Sequence, residues 1–266
     1  KPVCLNWWYN QIGVPKTLGT AFILFEKQLT PVEKQSAITV MENAKFGMTG
    51  QNKVWLAGNV MMRALLQNDY ELVKMARDTI ASEIVTGGAE GIKDDWCFHQ
   101  HGAQQQFGNY GLSFVSGMSF FSGLFSGTSL AFDDKQLSIL STLIDKGYRW
   151  VIWKGMMDVN ALGRQLFHHA PVHKALSLAF AASELGGGES DECMAVATAL
   201  LRDNYPAPAV NVFAGHRHFW QSDYTIHRRP SWMASIKMAS DRIIGTEMMN
   251  GDNMKGYYMA DGATYI

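Results

Sequence analysis

The segment Phe98-His99-Gln100-His101-Gly102, running on to Gly108-Asn109-Tyr110-Gly111, sets an imidazole nine residues before a phenol in a stretch free of Asp, Glu, Lys and Arg. Side chains of these two types can share one proton-transfer site. Thr49-Gly50-Gln51-Asn52 lies upstream, and Gly163-Arg164 and Glu247-Met248-Met249-Asn250 lie downstream. Amide, imidazole, phenol, guanidinium and carboxylate therefore accompany one another along the chain. Taken singly, each has a plainer reading. A Tyr beside Gly on an apolar helix is usually core, a lone His is usually a satisfied interior or surface group, and an Asn just after Thr49 can cap a helix. The ordered set is what points to a site.

With Asn6-Trp7-Trp8 and Ile12-Gly13-Val14-Pro15 at the start of the chain, the order of these segments resembles polysaccharide lyase family 8, the chondroitin AC, hyaluronate and xanthan lyases. Asn6, Trp7 and Trp8 resemble the family's sugar-stacking segment, and Thr49-Gly50-Gln51-Asn52-Lys53 resembles the segment that carries its carboxylate-binding Asn. His101 and Tyr110 match the catalytic His and Tyr. Arg164 matches the first Arg of a two-Arg motif, 63 residues after His101, and Glu247 with Asn250 fits a Glu-x-x-Asn motif. One position departs: the second Arg falls on His168, at the place that would hold substrate beyond the cleavage point.

The resemblance implies a metal-independent syn β-elimination on a uronic-acid polymer, chondroitin or hyaluronan above all. The C5 proton of a uronate is very weakly acidic until the adjacent carboxylate is offset. Asn52 and His101 would hydrogen-bond that carboxylate and stabilise the enolate-like charge. Tyr110 would act as base and then as acid toward the C4 oxygen, its phenol ionised with help from Arg164, because an unperturbed phenol titrates near ~10. Glu247 would orient Arg164 and His101. No cofactor is expected, and the partner is an acidic polysaccharide. A secreted or periplasmic, monomeric enzyme is what the resemblance implies.

These residues need a scaffold. At 266 residues, 47% hydrophobic and 18% charged, the chain can bury a sizeable core. Its net charge of −1 gives no long-range field for nucleic acid, so an acidic substrate must be drawn by local donors, with Arg164, Arg228 and Arg229 as candidates. Thr30-Pro31-Val32-Glu33 is a capping box with Pro at the first helical position, predicting a helix from there to about Phe46. Amphipathic runs predict further helices at 17–29, 53–66, 70–85, 136–147, 173–185 and 192–202, with Gly87-Gly88 and Gly186-Gly187-Gly188 as turns and no strand pattern between. The uncharged stretch from Gly102 to Phe132 holds too much Gln, Asn, Ser and Gly for a membrane span, and its small residues suit a closely packed helix. After Tyr205-Pro206-Ala207-Pro208 the texture changes to short strand-like segments at 210–213, 224–227 and 232–238, and Asn250-Gly251 is a tight-turn dipeptide. The expected fold is α+β and multidomain, with residues 1–205 a helical-hairpin array and 206–266 the beginning of an antiparallel β-sandwich. That the array closes into an incomplete (α/α) toroid is implied by the resemblance. Lys1 at the start and a strand just beginning at 260–266 read as an internal piece of a longer enzyme.

Cys4, Cys97 and Cys193 define neither a disulfide framework nor a zinc site. The pairs His99/His101 and His216/His218 would share a strand face, but no convincing third ligand is near them in sequence, so His99 and His216 are expected to pack or hydrogen-bond. Two other functions compete. A glycoside hydrolase would use Asp94 or Asp95 with Glu247 as its carboxylate pair. A non-catalytic glycan-binding module would use Trp7 and Trp8 alone.

Overall fold

The computed structural model describes residues 3–185 and 214–266, and the chain divides into two compact units, 1–84 and 85–266. The predicted helix at 192–202, the turn at 186–188, the strand at 210–213 and the change of texture near 205 lie outside the described residues.

The first unit is helical. A π-turn, Tyr9–Gly13, leads into α1 (Val14–Leu24), followed by α2 (Pro31–Met41), α3 (Gly50–Gln67) and α4 (Tyr70–Ala81). The capping box is present, with the Thr30 hydroxyl accepting from Glu33 N and the Glu33 carboxylate accepting from Thr30 N. The helix it starts is shorter than predicted: bonds from Asn43 N to Val40 O and from Ala44 N to Met41 O tighten the last turn and end α2 at Met41. Ala37, Ile38 and Leu66 form a buried cluster with Phe22 and Ile23 packed against it, which is what joins α1, α2 and α3. Helix α3 begins at Gly50, earlier than its apolar period indicates, because Glu83 satisfies its open end: Gly50 N donates to Glu83 Oε2 (2.7 Å), and Lys53 pairs with Oε1 (2.9 Å).

The second unit combines helices and strands. Two short antiparallel ladders occur where no strands were predicted, β1 (Gly91–Ile92) with β2 (Phe98–His99) and β3 (Ile152–Trp153) with β4 (Met156–Met157). Each strand has two residues, too few for any alternation to register in sequence. A second π-turn, Phe107–Gly111, runs into α5 (Leu112–Phe125), followed by α6 (Asp134–Lys146) and α7 (Ala170–Leu185). The small residues of the uncharged stretch do bring helices close: Ser119 on α5 donates to Ala181 O on α7 at 2.8 Å. Among the described residues no helix is long and apolar enough to cross a membrane.

The sheet is an antiparallel meander, β5 (Gly215–Phe219), β6 (Tyr224–Arg229), β7 (Trp232–Lys237) and β8 (Ala263–Tyr265), in that order. Tyr224, Ile226 and Arg228 alternate as the buried face of β6. Strand β5 was missed because Gly215-His216-Arg217-His218-Phe219 has no apolar alternation; its inward positions include Arg217, which donates to Asp95 O at 2.6 Å. Between β7 and β8 a long connection carries Glu247, and Asn250 and Gly251 (φ 57° and 83°) make the expected turn, closed by a Met249/Asp252 bridge.

Candidate active site

Three segments of the second unit converge on Glu247. The first is the loop after β2. Gln106 N returns to Phe98 O (2.8 Å), and inside that closure His101 and Gly102 both take left-handed backbone (φ 62° and 85°). Glu90 holds the loop by accepting from Gly102 N at 2.9 Å and from the Gln100 side chain. Two successive positive φ angles break the strand alternation, so His99 and His101 do not share a face. His99 is buried, with Nε2 2.9 Å from Ser222 Oγ. Burial, with Lys93 nearby, holds its imidazole down to about 4. His101 is half-exposed and turns its Nδ1 to Glu247 Oε1.

The second segment is the π-turn that carries Tyr110. Its backbone is pinned: Tyr148 Oη donates to Phe107 O (3.0 Å), and a Cβ at Gly111 would stand 2.5 Å from that same Oη. The Tyr110 ring lies edge-on to His101, with centroids 4.7 Å apart and 67° between planes. The third segment is the turn at Gly163 (φ 70°), from which Arg164 donates to Glu247 Oε2 and sets its guanidinium carbon 5.6 Å from the Tyr110 ring. Gln106 Nε2 adds a bond to Glu247 Oε2 at 3.0 Å, and Asp252 approaches Arg164 Nε at 3.5 Å.

The charges follow from these contacts. Burial works against the Glu247 carboxylate, yet the donors His101, Gln106 and Arg164 outweigh it and hold the group below the usual carboxylate range. Burial would also lower Arg164, but Tyr110 and Glu247 together hold it above its ordinary value. Tyr110 departs from expectation. Burial is the largest influence and raises the phenol; Arg164 pulls it down without overcoming that, and Glu247 and Glu90 add to the rise. At neutral pH the resting phenol is therefore protonated, and Arg164 alone does not ionise it.

His101, Tyr110, Arg164 and Glu247 are thus brought together. Asn52 belongs to the first unit, in the opening turn of α3. It does not cap that helix, since Glu83 closes the end, and its Oδ1 is buried without a hydrogen-bond partner among the described residues. In the same unit Asn6 accepts from Trp8 N (3.0 Å), Trp8 meets Trp55 edge-on, and Trp7 is exposed. His168 is exposed with its ring 3.7 Å from that of His169. The intervening residues 165–167 are irregular, so the four-residue spacing from Arg164 does not place the two on one helical face. Asn250 is exposed at the turn of the Glu247 connection.

Of the other candidate donors, Arg228 is spent on Arg149 O (2.6 Å) over the Trp153 ring, and Arg229 on Arg228 O (3.0 Å). His216 lies 3.4 Å from His227, nitrogen to nitrogen, and His218 bonds Thr225. Of the carboxylates a hydrolase would use, Asp95 accepts from Cys97 N (3.1 Å) and Gln221 N (2.6 Å), a joint between loop and sheet, and Asp94 accepts from Gln221 Nε2 at 3.4 Å. Sequence reasoning missed Glu90, Gln106 and Asp252. A run of glutamines, Gln104-Gln105-Gln106, in an otherwise uncharged stretch was the available signal for Gln106.

A family profile described as polysaccharide lyase family 8, N terminal alpha-helical domain, matches residues 1–183, and the family's super-sandwich domain matches residues 214–266. The chain belongs to polysaccharide lyase family 8. It is 30% identical to chondroitinase-AC of Pedobacter heparinus over 100% of this chain and 39% of the relative, and 27% identical to a hyaluronate lyase of Thermasporomyces composti over 98% and 38%. Its structure is similar to that of a chondroitinase AC lyase solved in oligosaccharide complexes, with a TM-score of 0.85 and 28% identity over 99% of this chain and 40% of that one. The chain thus spans about two fifths of the length of these relatives.

Proposed function

We propose that the protein cleaves a uronic-acid polymer by β-elimination, with chondroitin or hyaluronan as substrate. The observation that carries this is one buried carboxylate, Glu247, taking His101 on one oxygen and Arg164 on the other, with both partners against the Tyr110 ring. Elimination needs a proton carrier beside the sugar, a donor to the substrate carboxylate and a fixed cation near the carrier; Tyr110, His101 and Arg164 fill these roles. With Nδ1 committed to Glu247, His101 presents Nε2 to substrate. Asn52 is assigned, through its side-chain N–H, the role of second donor to the carboxylate. Trp7, with Asn6 and Trp8, serves as the sugar platform, and His168 and Asn250 contact the polymer beyond the scissile bond. The likeness to chondroitinase-AC and hyaluronate lyase supports the substrate class. We further propose a secreted or periplasmic monomer, with residues 1–205 in the helical domain and 206–266 in the sandwich.

The raised phenol favours a second division of labour: His101 takes the C5 proton through Nε2, and the protonated Tyr110 gives its proton to the C4 oxygen. In both versions Tyr110 serves the leaving group. A substrate whose leaving group needs no proton separates them. Tyr110→Phe should still eliminate it if His101 is the base, and should not if Tyr110 is. The reaction class is tested by ultraviolet absorbance over a panel of chondroitin, hyaluronan and xanthan, because elimination leaves a C4=C5 bond conjugated to the carboxylate. Cleavage without absorbance would overturn it. Activity should survive exhaustive chelation, since charge neutralisation is assigned to side chains; loss restored by added metal without unfolding would reject that assignment.

A further inference from the structure

Lys174 is a cation that the chemistry above leaves unused. It stands on α7, only 6% exposed. Burying an ammonium group costs several kcal/mol unless hydrogen-bond acceptors replace its water. Two do: Nζ donates to the carbonyl of Gly108 and to Gln165 Oε1 at 2.8 Å. Gly108 lies in the second π-turn, two residues before Tyr110, and Gln165 directly follows Arg164. The two segments already meet at van der Waals limit, because a Cβ at Gly108 would stand 2.8 Å from Leu162 Cα and 2.9 Å from Ala161 O.

Burial, with Arg164 nearby, holds the amine down to about 8. A neutral amine keeps two N–H donors, as many as the acceptors Gly108 O and Gln165 Oε1. The joint therefore outlasts the charge, as a structural tie should and an ion pair would not.

We propose that Lys174 is a positioning residue for the elimination, tying the π-turn of Tyr110 to the turn of Arg164 and so setting phenol against guanidinium. This rests on the lyase reading above. Lys174→Met keeps the apolar stem and removes the donors, and Gln165→Ala removes one acceptor. In the full-length protein, Lys174→Met should lower kcat roughly 10- to 100-fold, the scale of a 1 Å misplacement, while KM changes less than about threefold. Gln165→Ala should lower kcat less, and the double variant should be no worse than Lys174→Met alone. A readout that needs no turnover is the titration of Tyr110, followed by carbon NMR of labelled tyrosine and assigned with Tyr110→Phe. Withdrawing Arg164 from the ring should make the phenol ionise at higher pH in both single variants. An unchanged titration with additive losses of kcat overturns the proposal. Should Lys174→Met fail to fold, Gln165→Ala decides it by the same two measurements. If the wild type yields no unsaturated product from any polymer, the lyase reading falls, and the titration still decides whether Lys174 positions the phenol.

Discussion

The two π-turns among the described residues are the same backbone device put to different use. Each has five residues, each runs straight into a helix, and each leaves carbonyls that a side chain must satisfy. In the first, Tyr9–Gly13, the neutral amide of Asn59 donates to Gln11 O (3.2 Å) and Ile12 O (3.1 Å), while Tyr9 stays exposed with its ring edge-on to Trp8. In the second, Phe107–Gly111, all five residues are buried, and a phenol from Tyr148 and a cation from Lys174 hold the carbonyls. A turn that serves an aromatic surface tolerates slack. One that must hold a phenol against an imidazole and a guanidinium is pinned from several sides.

The largest expected effect lies in the second turn. Tyr110→Phe keeps the ring and removes the proton carrier, so turnover on the natural polymer should fall roughly 10²- to 10⁴-fold with binding within a few-fold. Steady-state rates beside direct binding measure this, and retention of most activity would dismiss Tyr110.

Next comes the scaffold behind that turn. His99 has a folded-state pKa of about 4, depressed by burial, so between there and the ordinary value near ~6.5 the unfolded chain binds the extra proton. Stability should fall as pH drops through that window, by on the order of 3 kcal/mol in total, 2.5 units at ~1.36 kcal/mol each. Denaturant melts of wild type and His99→Gln across pH 4 to 7 check this; equal slopes for the two would remove His99 as the cause.

Adding one methyl to each turn sharpens the contrast. At Gly111 the new Cβ meets Tyr148 Oη at 2.5 Å, Gln106 O at 2.9 Å and Phe98 Cβ at 2.9 Å, so Gly111→Ala should cost about 1–3 kcal/mol and displace Tyr110. At Gly13 it meets the rings of Trp8 and Tyr9, which can move, and Gly13→Ala should cost under about 1 kcal/mol. Similar melting shifts for both would mean that the second turn is no more constrained than the first. The smallest effect is expected on the aromatic surface itself. Trp7→Ala should weaken polymer binding by roughly 0.5–1.5 kcal/mol and leave kcat alone; a fall in kcat at saturating polymer would contradict a platform role.

Residue types and local spacing were enough for much of this protein. The capping box at Thr30, the helix at Tyr70, the Asn250-Gly251 turn and the strands from Tyr224 and Trp232 follow from short-range rules that act within a few residues. The ordered Asn, His, Tyr, Arg and Glu stood out as candidates because their types and order resemble the family's set, and four of them, His101, Tyr110, Arg164 and Glu247, lie together. Tertiary structure decided what depends on distant partners. Glu83 closes α3 from 33 residues away, which frees Asn52 from capping. Two left-handed residues part His101 from His99, sending one to Glu247 and the other to Ser222, 123 residues on. Asp95, a carboxylate fit for catalysis on paper, is consumed by the backbone of the sheet loop. The protonation of Tyr110 was the least accessible of all, since it sets burial and two carboxylates against one guanidinium, drawn from four separate segments, and no pattern along the chain records that sum.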